Sequence, residues 1–109
     1  MATTILNPDG VLLGTSETTV YHLSGAPTGA IVTVRANNVD TASRTLNMWL
    51  YSTALSGTDA TLMVPKNYAL AAGTQVELGP FHLNNGYKIT GTSDSANKIN
   101  VIPTGLVNT

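Results

Sequence analysis

The sequence predicts an all-β protein: one antiparallel β-sandwich, jelly-roll or Ig-like, of about six to eight short strands. Three observations carry that expectation. Charged residues make up only 10% of the chain and hydrophobic ones 42%, so Thr, Ser, Asn and Gly supply most of the polarity. Thr, stiff at its β carbon, suits a pleated surface, while Asn and Gly reach the positive φ angles of tight turns. Runs of alternating apolar and polar side chains recur along the chain, each closed by Gly, Pro, Asn or Asp. A length of 109 residues allows one domain and one core.

The N-terminal residues 1–14 read as an arm or a first strand ahead of a sandwich domain over 15–109. "TTVYHL", Thr18 to Leu23, is a short strand entered from the turn-like "GTSE" and left at "SGAPTG", where Gly25, Pro27 and Gly29 break regular structure. In "AIVTVRAN", Ala30 to Asn37, Val32, Val34 and Ala36 point one way and Ile31, Thr33 and Arg35 the other. After the polar loop "NVDTAS", Arg44 to Ser52 alternates cleanly. Leu46, Met48 and Leu50 share one face; Asn47, Trp49 and Tyr51 share the opposite one. Because a turn-rich loop joins these two runs, the sequence predicts that they pair as a hairpin.

Residues 53–73 mix Ala and Leu with breakers at Gly57, Pro65 and Gly73. The run Tyr68 to Ala72 admits a short helical turn, but an irregular connection with a short strand near Leu62 to Val64 is expected across the segment. "TQVELGPFHL" is a strand with Val76 and Leu78 inward, interrupted at Gly79-Pro80, because a central strand could not spare the ladder donor that proline lacks. "NNG" at Asn84 to Gly86 signals a hairpin turn into "YKITGTS". "DSAN" turns again, and "KINVIPTGLV" closes the chain with Ile99 and Val101 on one face and Pro103 suggesting an edge or an end.

Several function classes lack their parts. The five basic residues, Arg35, Arg44, Lys66, Lys88 and Lys98, are scattered and the formal net charge is −1, against the concentrated positive footprint of nucleic-acid binding. The chain has no cysteine, so neither disulfides nor thiolate metal sites hold it together. No apolar run approaches the roughly 20 residues that cross a bilayer, and "MATTILNPDG" shows no secretory signal pattern. His22 and His82 are the only histidines; no nucleophile elbow, His-Glu-x-x-His spacing or Walker lysine accompanies them. Asp40 and Asp94 sit in Asn/Ser-rich loops where capping of turns is the economical role, not calcium binding. No cofactor and no metal is expected, nor an enzyme.

Asn47, Trp49 and Tyr51 are the candidate partner-contact residues. Both faces of their strand are partly apolar, whereas one face of an antiparallel sheet normally meets water. Either the strand is covered on both sides, with Trp49 in the core, or one face is a contact surface. An aromatic platform with amide donors could also stack on a sugar ring.

The stretch "TTVYHLSGAPTGAIVTVRANNVDTASRTLNMWLY" resembles the N-terminal half of small all-β virion proteins of tailed bacteriophages, of the capsid decoration or cement type. The matching features are Thr19, Val20, Tyr21, Gly29, Ile31, Val32, Val34, Asn37, Arg44, Leu46, Trp49 and Leu50. "LGPFHLNNGYKI" and the closing strand extend the likeness to about residues 15–107, while "SGAPTG" departs from the Val-Pro-Ala-Gly-Lys-like turn of that family. The resemblance implies a non-enzymatic structural protein of the virion, made in a host cytoplasm. It would contact the major capsid protein or other virion subunits as a homo-oligomer, commonly a trimer, with no nucleic-acid or membrane partner. The alternative it leaves open is a tail or fibre accessory protein, or an adhesin binding host carbohydrate.

Overall fold

A computed structural model describes residues 3–6, 9–24, 29–52, 58 and 61–108. They form nine strands: β1 (Thr3–Leu6), β2 (Val11–Leu12), β3 (Thr18–His22), β4 (Gly29–Asn38), β5 (Arg44–Ser52), β6 (Tyr68–Leu70), β7 (Gln75–Asn84), β8 (Tyr87–Ser93) and β9 (Ile99–Asn108). Two antiparallel sheets result. A five-stranded sheet runs β1-β9-β4-β7, with β2 also beside β9, and a four-stranded sheet runs β3-β8-β5-β6.

The pairing is nested: β2 with β9, β3 with β8, β4 with β7, and β5 with β6. The chain is thus one long antiparallel ribbon folded over on itself, and of the two predicted architectures this is the jelly roll. Each strand alternates and has an apolar face to cover. When consecutive strands land in opposite sheets, those faces meet in a shared core.

Strand β4 shows the alternation most cleanly, with Ala30, Val32, Val34 and Ala36 buried and the residues between them turned outward. Leu46 and Met48 of β5, Ile89 of β8 and Ile99 and Val101 of β9 meet them from both sheets, joined by Leu13, Leu23 and Leu83. Full burial of each such side chain contributes roughly 1.5–3 kcal/mol, set against the conformational entropy of ordering the chain.

Several sequence expectations are corrected. The runs before and after "NVDTAS" do not form a hairpin: β4 lies in the five-stranded sheet and β5 in the four-stranded one. The loop is a corner between sheets. "NNG" likewise carries the chain from β7 in one sheet to β8 in the other, with the Gly86 N–H donating to Leu23 O and the Leu23 N–H to Tyr87 O. Tyr68 to Leu70, which the sequence leaves open to a helical turn or an irregular connection, is strand β6, because its pairing with Arg44 to Leu46 outweighs the local preference of Ala and Leu. Near Leu62 to Val64 there is only a single bridge, Leu62 opposite Trp49; residues 53–57 and 59–60 of that connection lie outside the described residues.

Strand β7 continues through Gly79-Pro80, which has a cis peptide bond. One extra residue of β7 is absorbed as a register shift, Val32 opposing Phe81 and Val34 opposing Leu78, on a strand at the sheet edge. Pro103 marks neither an edge strand nor the end of a strand: it lies in the middle of β9, which is flanked on both sides. It is tolerated because the β1 pairing covers Gly105 to Asn108 and the β2 pairing Asn100 and Val101, leaving position 103 in the gap between them.

Candidate contact surfaces

The continuous register of β5 against β8 keeps Asn47, Trp49 and Tyr51 on one face of the four-stranded sheet, opposite Thr92, Thr90 and Lys88. That face points away from the core, which takes Leu46 and Met48 and has half-buried Leu50 packed against it. Trp49 therefore does not fill the core. It lies half-buried on the outside, between Thr90 and Leu62.

Its two companions are engaged locally. Asn47 donates from Nδ2 to Asn67 Oδ1 at 3.1 Å and accepts the Asn67 N–H at 2.8 Å, an exchange that pins the 61–67 connection onto β5. Asn67 holds a left-handed φ of 56° that Asn adopts more readily than most residues. Tyr51 is 3% exposed. Its hydroxyl donates to Glu17 Oε2, and Lys88 Nζ stands 5.3 Å from its ring centroid. A sugar could reach neither the face nor the hydroxyl of Tyr51 as it stands, so Trp49 alone of the three offers open aromatic surface. On the core side of β3, burial pushes the Tyr21 phenol above its usual value of 10.0.

The "NNVDTAS" corner is organised by two side chains. Buried Asn38 donates from Nδ2 to Ala42 O at 2.9 Å and to Leu70 O at 2.8 Å, and its Oδ1 accepts the Asp40 N–H at 2.9 Å. Three polar groups at the sheet crossing are thereby satisfied without water. Asp40 accepts from Arg44 Nε and from the Thr41 N–H, both at 2.7 Å. The Arg44 guanidinium and that N–H hold its carboxyl below the usual 3.8. The carboxylate is thus a turn cap, held by Arg44 and the Thr41 N–H with Lys98 Nζ at 4.0 Å.

His22 and His82 are not brought together. His22 is exposed beside Lys88 on the four-stranded sheet, His82 exposed beside Ile31 on the five-stranded one. Among the described residues no group of three or more His, Cys, Asp or Glu could hold a metal ion, and no helix is long and apolar enough to cross a membrane.

A different surface, absent from the sequence expectations, lies on the outside of the five-stranded sheet. Ile5, Leu106 and Ile31 are directly opposed across β1, β9 and β4. They are 77%, 46% and 40% exposed, a row of three large aliphatic side chains in water. The row ends on β1, the outermost strand of the sheet. A signal was present in the sequence: Ile31 sits on the polar side of β4's alternation, with Thr33 and Arg35. Its neighbours Ile5 and Leu106, however, come from opposite ends of the chain.

The four sheet edges differ. β7 carries Glu77, Pro80 and His82 with a register shift; β3 carries a register shift, His22 and, just before it, Glu17; β6 is three residues long. Charge, proline, irregularity and shortness all discourage a further strand from adding. β1 reads Thr-Thr-Ile-Leu and has none of the first three.

No protein-family model and no curated protein sequence matches the chain. Among solved structures, the fold is similar to that of a chain described as "Bacillus endospore appendages form a novel family of disulfide-linked pili", with a TM-score of 0.57 and 14% sequence identity over 100% of this chain and 91% of that one. At that identity the likeness is one of fold.

Proposed function

We propose that this chain is a non-enzymatic structural subunit, working through protein–protein contacts in a many-copy assembly. The observation that carries the reading is the exposed aliphatic row Ile5–Leu106–Ile31 beside a short, uncharged sheet edge. Such rows on soluble domains mark contact surfaces. Among the described residues Arg35 pairs with Glu77 across β4 and β7, Arg44 and Lys98 stand by Asp40 at the corner, and Tyr51 lies between Glu17 and Lys88, each an arrangement that ties neighbouring strands or loops together. With few charges to steer it, association would depend on apolar burial and backbone hydrogen bonds.

The assembly to which the sequence resemblance points is the virion of a tailed bacteriophage, with the chain as a decoration or cement protein, itself a homo-oligomer such as a trimer, on the capsid subunits. The pilus likeness favours a second reading, a subunit of a surface filament. The pili of that neighbour are disulfide-linked, and a chain without cysteine would have to polymerise non-covalently. The adhesin alternative is weakened by the engagement of Asn47 and Tyr51.

Immunogold electron microscopy of the source lysate, with antibody to this chain, tests the proposal. Label over phage heads supports decoration; label over tails supports an accessory role; label along filaments supports the second reading. Diffuse label on no assembly overturns all three. Binding to the labelled particle should change little between low and moderate salt, because exposed ion pairs contribute little to it.

A further inference from the structure

We propose that β1 pairs with β1 of a second copy of this chain about a two-fold axis perpendicular to the five-stranded sheet, with Ile5 opposite its own copy. The proposal deepens the assembly reading by naming a partner for its surface.

Three observations select the occupant. Antiparallel self-pairing about a two-fold axis brings residues near the axis against their own copies, so a charged edge has registers that oppose like charges, as for Glu77 or His82 on β7 and His22 on β3, whereas an uncharged edge has none. β1 carries no charge, and Asp9, the nearest acid in sequence, lies beyond its end. Symmetry also restricts the register. About such an axis the outer faces of both sheets stay on one side, and directly opposed residues share a face. Ile5, opposite exposed Leu106, points outward, while Leu6 packs against the core. Outward residues must therefore face outward residues, which permits Ile5 opposite Ile5 or Ile5 opposite Thr3 and forbids pairing Ile5 with Thr4.

Apolar burial decides between the two. Ile5 opposite Ile5 joins the row Ile31–Leu106–Ile5 to its copy, giving six aliphatic side chains in line across a continuous sheet. The alternative breaks the row with a threonine. A contact resting on one four-residue strand is small, so it belongs to the weak class that forms at high concentration or within an assembly. It leaves other faces free for a trimer or for another subunit.

Sedimentation velocity over a concentration series is the test. Wild-type protein should rise from the 11.3 kDa monomer toward twice that mass. Ile5→Lys and Ile5→Glu, each made at a 77% exposed position and checked for unchanged melting, should each move the midpoint at least tenfold higher. Mixed in equal amounts they should associate again, because the register sets the two new charges against each other. Val39→Lys, at a 61% exposed position in the corner loop, should leave the midpoint alone. In this cysteine-free chain, Ile5→Cys should form a dimer under mild oxidant that reductant reverses, and Thr3→Cys should not.

The proposal is overturned by wild-type protein that stays monomeric while Ile5→Cys fails to cross-link, or by association that Ile5→Lys leaves untouched. Either result would leave the immunogold outcome standing, so the failure of self-pairing is separable from the failure of the assembly reading.

Discussion

The outer faces of the two sheets make opposite use of their residues. On the four-stranded sheet the polar and aromatic side chains Tyr51, Lys88 and Asn47 are folded down on one another or on Glu17 and Asn67, leaving only part of Trp49 open. On the five-stranded sheet ordinary aliphatics, Ile5, Leu106 and Ile31, stand in water. The aromatic cluster is mostly a structural cover; the free apolar surface is elsewhere. Residue type alone picks out the first face, while exposure and strand order pick out the second.

The largest expected effect tests how tightly the five-stranded sheet is built beneath its apolar row. At Gly105 an added Cβ would lie 1.9 Å from Ile31 O, a backbone atom that cannot swing aside. Gly105→Ala should cost at least about 3 kcal/mol in urea denaturation, as overpacking against backbone requires. A loss below about 1 kcal/mol would mean that β9 and β4 can separate there and that the row is looser than described.

Next comes Tyr51→Ala, which removes the cover of the four-stranded sheet. A loss of about 2–3 kcal/mol is expected for a side chain this buried. If stability is unchanged, Tyr51 is a surface residue after all and the contrast between the faces collapses.

A smaller effect sits at the corner that joins the sheets. The Asp40 carboxyl has its pKa lowered by Arg44 and the Thr41 N–H, so its stabilisation is present above the unfolded value near pH 4 and is lost as pH falls below it. Asp40→Asn should therefore flatten the acid limb of a pH-stability curve while leaving the limb above pH 7 parallel to wild type. An acid limb identical in both proteins would remove Asp40 as its source.

The smallest effect is the most discriminating. Ile31→Thr, on the exposed row, should change stability by no more than about 0.5 kcal/mol, yet weaken any association through that face. A large stability loss would show that Ile31 supports the fold, leaving only two residues of the row for contact.

The legible parts of the fold were those set by short-range chemistry. Strand β5 begins and ends where its alternation does, at Arg44 and Ser52, and the buried face of β4 holds Val32, Val34 and Ala36 as the pattern requires. Asp40 caps its loop, as a short acid in a turn should. Asn47 and Trp49 were correctly placed on one face with Tyr51, but nothing in the pattern says that Tyr51 is covered, because Glu17 reaches it from 34 residues away.

The sequence by itself determined that this is a β protein, where most of its strands run and which side of each is apolar, because side-chain alternation and turn residues act over a few positions. Only the tertiary structure decided which strands are neighbours. A turn such as "NNG" reverses the chain equally well within a sheet or between two sheets, and the choice is made by burying all the apolar faces at once. The same global choice set β1, from the beginning of the chain, against β9 at its end, and so created an aliphatic row that no local stretch contains.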